Sequence, residues 1–217
     1  NLEKNFLNFC KNRNFEINKN QIKIINNLEK YYKENFKTHF FKKILKKSKN
    51  KLGFYLVGDV GVGKTMILNF FFENIKQKKI RIHFNEFMIN FHDFIFQNDD
   101  KKNGIYKFVK DLKKKAKILY FDEFQVTNIV DAMILGKLFE KIFEEKIRVI
   151  FTSNIIIKDL YRDGLQREQF IPFIKILEEN SYEKKLSIDE DYRSNKNQKL
   201  ERFLSPLSQS NNFKFNK

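Results

Sequence analysis

The chain has 217 residues, 41% of them hydrophobic, and 43 Lys and Arg against 27 Asp and Glu give a formal charge of +16. That length and apolar fraction suit one main domain of α/β size with an appendage, while the single cysteine, Cys10, excludes an intramolecular disulfide framework and a CxxC zinc site and fits a reducing compartment. No apolar run reaches bilayer length and the first residues lack a signal-peptide apolar region, so a soluble, intracellular protein is expected; the sequence starts at Asn1 rather than Met, and the expectation applies to these residues alone.

The charge has two readings. A basic surface for nucleic acid or an anionic membrane is one. The other is compositional: Lys, Asn, Ile and Phe are abundant while Ala, Gly, Pro and Trp are scarce, the bias of an AT-rich genome, and this second reading is preferred. With 26 Phe, no Trp and few alanines, the core must pack large side chains against one another.

In chain order, residues 1–17 are Asn- and Lys-rich and weakly patterned, and read as a mobile lead-in. From Asn18, a candidate N-cap, Ile22, Ile25, Leu28 and Tyr32 fall on one helical face. A second amphipathic segment, 36–47, turns Phe36, Phe40 and Ile44 inward. Lys42, Lys43, Lys46, Lys47, Lys49 and Lys51 read as a solvated face, with an anionic contact surface as the competing reading. Leu52 to Val57 is then a buried strand, and it runs directly into Gly58-Asp59-Val60-Gly61-Val62-Gly63-Lys64-Thr65. That is the pattern G-x-x-x-x-G-K-S/T, and Ile67, Leu68, Phe71 and Ile75 recur at helical spacing behind it. Glycines let the backbone turn tightly and aim its N–H groups inward, Lys64 adds positive charge, and the following helix presents its N-terminal dipole to the same anion. The competing reading is a Gly-rich turn that binds nothing. The cofactor-binding stretch is taken as Gly58, Asp59, Val60, Gly61, Val62, Gly63, Lys64, Thr65 and Met66.

Ile80 to Phe84 is predicted as a short strand in which Ile82 and Phe84 alternate with Arg81 and His83. His83 has no partner at metal-ligand spacing, so a structural role is expected. Helices over 86–97 and 104–116 flank a polar tip. Residues 117–121 form an almost continuous apolar strand, as expected of a parallel strand covered on both faces, and it ends in Asp122-Glu123. In a phosphate-loop domain, an acidic residue at a neighbouring strand end is where the nucleotide's magnesium finds an oxygen, and the adjacent Glu123 can polarise a water. A helix over 129–144 places Ile129, Met133, Leu138, Ile142 and Phe143 on its apolar side. The strand 148–152 follows and leads to Asn154 on the same rim, where an open α/β sheet has its ligand crevice. Asn154 is read as holding the attacking water, against a plain turn residue. A helix over 168–178 with Pro172 early in it, a last strand over 184–188, and a poorly ordered tail over 194–217 complete the reading.

The motif set resembles the AAA+ class of P-loop ATPases, and more narrowly the ZapE-type cell-division ATPases and their mitochondrial relatives. The likeness rests on GDVGVGKTMIL at 58–68, RIHFNEFM at 81–88, FDEFQVTNIVDAMIL at 121–135, TSN at 152–154, DLYRDGLQREQFIPFI at 159–174 and DYR at 191–193. It implies a three-layer α/β/α fold around a parallel five-stranded sheet ordered 5-1-4-3-2. The divisions are an N-terminal helical segment over 1–49, the ATPase domain over 50–193 and a tail over 194–217. It implies Lys64 and Thr65 on phosphate and Mg2+, Asp122 on Mg2+, Glu123 as base and Asn154 as first sensor. Arg167 is the candidate finger reaching a neighbouring subunit's ATP, with Arg162 as rival and a helix-start salt bridge as the structural alternative.

The resemblance further implies ATP hydrolysis coupled to remodelling of a protein partner in the bacterial division ring, a homo-oligomer at full length, and peripheral membrane association at most. The location implied is the bacterial cytoplasm with recruitment to the division site, mitochondria being the alternative. Family members usually carry Asp where this chain has Asn128 and continue beyond the DYR segment, so the small helical lid is expected to be absent or truncated, with Arg193 a weak substitute for its sensor arginine. Two other functions stay open: a nucleic-acid-linked ATPase such as a helicase loader, and a nucleotide-binding interaction module that does not hydrolyse.

Overall fold

A computed structural model of the chain describes residues 1–37, 50–98, 100 and 103–187. Its centre is a sheet of five parallel strands: β1 (Gly53–Val57), β2 (Lys79–His83), β3 (Ile118–Asp122), β4 (Arg148–Ser153) and β5 (Ser181–Lys185). They lie in the order β2-β3-β4-β1-β5, which is the expected order read from the other edge. β1 and β3 are buried along their whole length. Continuous apolar runs of this kind cannot be solvated on either face, so both faces carry helices.

On one face, Phe54 of β1 meets Tyr31, and Tyr120 of β3 meets Phe72. These partners belong to α2 (Lys19–Tyr32) and α3 (Lys64–Glu73), and α1 (Leu2–Asn12) packs outside them through Phe6 and Phe70, ring centroids 5.1 Å apart. On the opposite face Tyr55, Phe121 and Phe151 share a core with α4 (Phe84–Gln97), α5 (Gly104–Lys115), α6 (Ile129–Glu144) and α7 (Ile171–Asn180). The Phe-rich composition is spent here, in a chain of edge-to-face, tilted and stacked ring contacts running through Phe84, Phe121, Phe124, Phe139, Phe151 and Phe173.

Several expectations need correction. Residues 2–12 are helical, with Phe6 and Cys10 fully buried, where a mobile lead-in is expected; two large contacts on one face are too few to show as a period, yet enough to dock a helix. Burial pushes the Cys10 thiol up, consistent with an unreactive packing role. In α2 the buried face is Ile24, Ile25, Leu28 and Tyr31 rather than one running through Ile22 and Tyr32, because Tyr31 donates its buried hydroxyl to the Leu52 carbonyl at 2.7 Å. Asn18 does cap α2, accepting from the Asn20 N–H at 2.7 Å.

α6 turns Ala132, Leu135, Leu138, Phe139, Ile142 and Phe143 inward, leaving Met133 55% exposed, and the His92–Asp131 contact at 2.7 Å joins this helix to α4 in that rotation. α7 starts at Ile171, with Pro172 in its first turn where no N–H is needed. β2 ends at His83, so Phe84 opens α4. The last strand is Ser181–Lys185, three residues earlier than the apolar pattern suggests. It is an edge strand, specified by backbone pairing and by the Gly53–Ser181 register: a Cβ on Gly53 would stand 2.1 Å from the Ser181 hydroxyl. The expectations for 38–47, for DYR at 191–193 and for the tail lie outside the described residues.

If α1 is an integral layer, Phe6→Ala lowers unfolding stability by about 3 kcal/mol. Urea unfolding of the whole chain checks this, and an unchanged midpoint would mean that α1 contributes no packing.

Candidate nucleotide site

The carboxyl ends of β1, β3 and β4 meet along one rim. β1 opens into the glycine loop, in which Gly61 and Gly63 hold the left-handed region at φ 82° and 93°. An L side chain is strained there, so glycine is required at the two bends. Gly58 is required for a different reason: a Cβ on it would lie 2.4 Å from the Leu186 carbonyl oxygen. α3 begins at Lys64 directly after Gly63, leaving its first N–H groups at the loop.

A cavity of about 560 Å³ opens here, lined by Val60, Gly61, Gly63, Lys64, Thr65, Met66, Glu123, Phe124, Gln125, Thr152, Ser153, Asn154 and Ile155. Of the predicted stretch, Gly58, Asp59 and Val62 stand outside the lining; Gly58 and Val62 are buried, and Asp59 is exposed. The Val62 carbonyl accepts from the Gln21 side-chain amide of α2 at 3.3 Å, so the second helix braces the loop from outside.

Lys64 donates to the carbonyls of Gly58 at 2.6 Å and Asp59 at 2.8 Å, and to Asn154 Oδ1 at 2.8 Å. Its ammonium sits below its usual pKa, because burial outweighs the support of Asp59, Asp122 and Glu123. Thr65 donates to Asp122 Oδ1 at 3.4 Å.

Asp122 is 4% exposed and receives more donors than a strand-end carboxylate needs for capping. Oδ1 accepts from Thr152 at 2.8 Å and from Tyr120 at 3.1 Å, and Oδ2 takes an ion pair from Arg81 of β2. Burial alone would push this carboxyl up; the hydrogen bonds from Arg81, Thr152 and Tyr120 together overcome that and hold it below the usual range. Burial and the neighbouring Asp122 push the Tyr120 phenol up, which keeps it a donor. Thr152 also accepts from the Glu123 N–H at 3.0 Å, and Glu123 itself is left-handed at φ 54° with its side chain exposed at the cavity. Such a backbone persists only where the surroundings over-determine it.

The sheet thus brings Lys64, Thr65, Asp122, Glu123 and Asn154 to one rim. Arg167 is not among the lining residues. It precedes α7 in a short 3-10 turn, donates to the Lys158 carbonyl at 2.9 Å, and its Nε is buried without a partner among the described residues. Arg162 is exposed. Sequence reasoning passed over Thr152, Tyr120 and Arg81. The signals available were a hydroxyl two residues before Asn154 and an arginine on a strand otherwise alternating with isoleucine.

For a divalent cation, the donor set is the Thr65 hydroxyl and the Asp122 carboxylate, both hard oxygens. No group of three or more His, Cys, Asp or Glu among the described residues is arranged as a metal cage. One carboxylate and a hydroxyl beside a cavity of this size fit Mg2+, which keeps waters and takes the rest of its shell from phosphate oxygens.

A family model described as AFG1-like ATPase matches residues 4–217. The chain belongs to the AFG1-like ATPase family. The match begins in α1, so the family extends over the N-terminal helices as well as the motif-bearing stretch. Cell division protein ZapE of Escherichia coli K12 is 34% identical over 156 residues, covering 71% of this chain and 42% of that protein. Lactation elevated protein 1 homolog B of Danio rerio is 39% identical over 139 residues, covering 58% of this chain and 28% of that one. The chain therefore spans less than half the length of these curated relatives.

Among solved structures, AMPPCP-bound DnaA from Aquifex aeolicus superposes with a TM-score of 0.54 at 18% identity, over 91% of this chain and 56% of that one, a likeness of fold. Where other family members are expected to carry Asp, Asn128 caps α6 by accepting from the Val130 N–H at 2.8 Å, a task for which the two residue types are equivalent. No helix of the described residues is long and apolar enough to cross a membrane.

The depressed Asp122 value carries a sign. Its charge contributes stability fully above the unfolded carboxyl value of about 4, and that contribution is lost as pH falls through the lower folded value. Asp122→Asn is therefore expected to flatten the fall in unfolding free energy below about pH 4. Urea titrations across that range test this; an acid limb as steep as the wild type's would show that the carboxylate is not held charged.

Proposed function

We propose that this site binds ATP with Mg2+ and hydrolyses its β–γ bond. The observation that carries the reading is the convergence of three strand ends. Lys64 on the loop after β1 touches Asn154 beyond β4, and Thr65 touches Asp122 at the end of β3. A Gly-rich turn with no ligand gives no reason for a lysine, a threonine, a carboxylate and an amide to gather around a cavity of this size.

In this reading the loop N–H groups and the start of α3 take the phosphates, and Lys64 leaves its resting carbonyl partners to pair with phosphate oxygen. Mg2+, held by Thr65 and Asp122, supplies charge neutralisation on the phosphates when bound. Glu123, exposed at the cavity and turned there by its left-handed backbone, accepts a proton from water, and Asn154 positions that water. Catalysis is then positioning and electrostatic stabilisation, as expected for phosphoryl transfer. Arg167, outside its own chain's cavity lining, serves as the finger into a neighbouring copy's site, where such a residue is worth about 10³ to 10⁵ in rate. The turnover would drive remodelling of a protein partner. The likeness to a cell division protein supports a division-ring component as that partner, and the bacterial cytoplasm as the location.

Glu123→Gln is expected to keep ATP binding while lowering turnover by at least about 10²-fold. Phosphate release beside a binding titration separates the two effects, and unchanged turnover would remove Glu123 from this role. Arg167→Ala is expected to be nearly inactive alone, yet a mixture with Glu123→Gln should regain turnover, since each chain lends the group the other lacks. Rates that merely average would exclude a finger acting between copies.

A further inference from the structure

We propose that Arg81 is a positioning residue of the nucleotide site: by holding Oδ2 of Asp122, it keeps Oδ1 turned toward Thr65 and so sets the affinity of the site for magnesium-bound nucleotide. This rests on the reading of Thr65 and Asp122 as the metal-holding pair.

The two oxygens of Asp122 have divided partners. Oδ2 has the guanidinium of Arg81, while Oδ1 has the hydroxyls of Thr152, Tyr120 and Thr65 at 2.8, 3.1 and 3.4 Å. A carboxylate is symmetric about its own axis, and a buried one with equal surroundings has no preferred oxygen. Here one side is closed by a cation, which another cation cannot replace without facing its repulsion. The other side is closed by neutral hydroxyls, of which the longest contact is that of Thr65. An incoming cation therefore meets only one available oxygen, on the side of the loop.

Arg81 is itself held for this task. It stands opposite Tyr120 in the β2–β3 register, and its guanidinium carbon lies 5.4 Å from the centre of the Tyr120 ring, so the ring that donates to Oδ1 also supports the group on Oδ2. The Arg81 side chain is 40% exposed against 5% for Asp122. The arginine has water within reach and points to the carboxylate instead. Outer residues of this kind, which orient a metal ligand without touching the metal, typically change metal affinity by about 10- to 100-fold when removed.

The test is binding of a fluorescent ATP analogue to the full chain, titrated with Mg2+ and repeated in EDTA. Arg81→Gln is expected to bind the metal-free analogue as the wild type does, while the Mg2+ midpoint moves to about tenfold higher concentration or more. Arg81→Lys should recover part of that shift. On an Asp122→Asn background, where no buried carboxylate is left unpaired, adding Arg81→Gln should move the midpoint no further. If Arg81→Gln alone fails to fold, the Mg2+ midpoint of Arg81→Lys, which keeps a cation beside Oδ2 but loses the planar fork, decides instead: a midpoint equal to the wild type's counts against the proposal. An Mg2+ midpoint unchanged by Arg81→Gln overturns the proposal, as does equal weakening with and without metal, or a further shift on the Asp122→Asn background. A wild-type protein whose analogue binding ignores Mg2+ would instead overturn the Thr65 and Asp122 reading, and Arg81 with it.

Discussion

One buried carboxylate ties this fold together. Asp122 draws donors from β2, β3, β4 and the first turn of α3, four segments that are far apart along the chain. A charge at 4% exposure is tolerable only when such donors surround it, and the donors are available only when three strands and the loop helix stand in their present register. The group that the proposed chemistry uses is therefore also a check on correct assembly. A sheet slipped by one residue would point Tyr120 and Asp122 to the opposite, Phe-lined face.

The parts of the molecule most legible from the sequence are those in which one local pattern has one physical solution. A glycine loop followed by Lys-Thr between an apolar strand and a helical period is legible from its pattern, and Gly61 and Gly63 do hold positive φ. The strands before Asp122 and Asn154 were legible because parallel strands covered on both faces must be apolar throughout. Strand order followed from resemblance and not from any pattern within the strands. What stayed hidden depends on partners distant in the chain. The buried face of α2 is decided by where Tyr31 meets the Leu52 carbonyl, and β5 by its backbone pairing with β1.

Arg81 shows the same limit at the site itself. Read along the strand, it is a polar residue alternating with isoleucines, and solvent is the natural place for it. Only the neighbouring strand supplies the carboxylate and the ring that make it part of the site. Thr152 and Tyr120 were likewise ordinary β-formers until Asp122 stood between them. A motif search finds the groups that face the ligand and misses those that hold them in place.

The closeness of Gly58 to Leu186 has a mechanical consequence. Just after β5, the Leu186 N–H is bonded to the Val57 carbonyl at 2.8 Å, and the Leu186 carbonyl oxygen sits where a side chain on Gly58 would begin. Leu186 and the first glycine of the loop are therefore locked together, and neither backbone can shift without displacing the other. Fixing the first bend of the loop is thus one task of an edge strand whose own side chains, after Ser181, are half-buried or exposed.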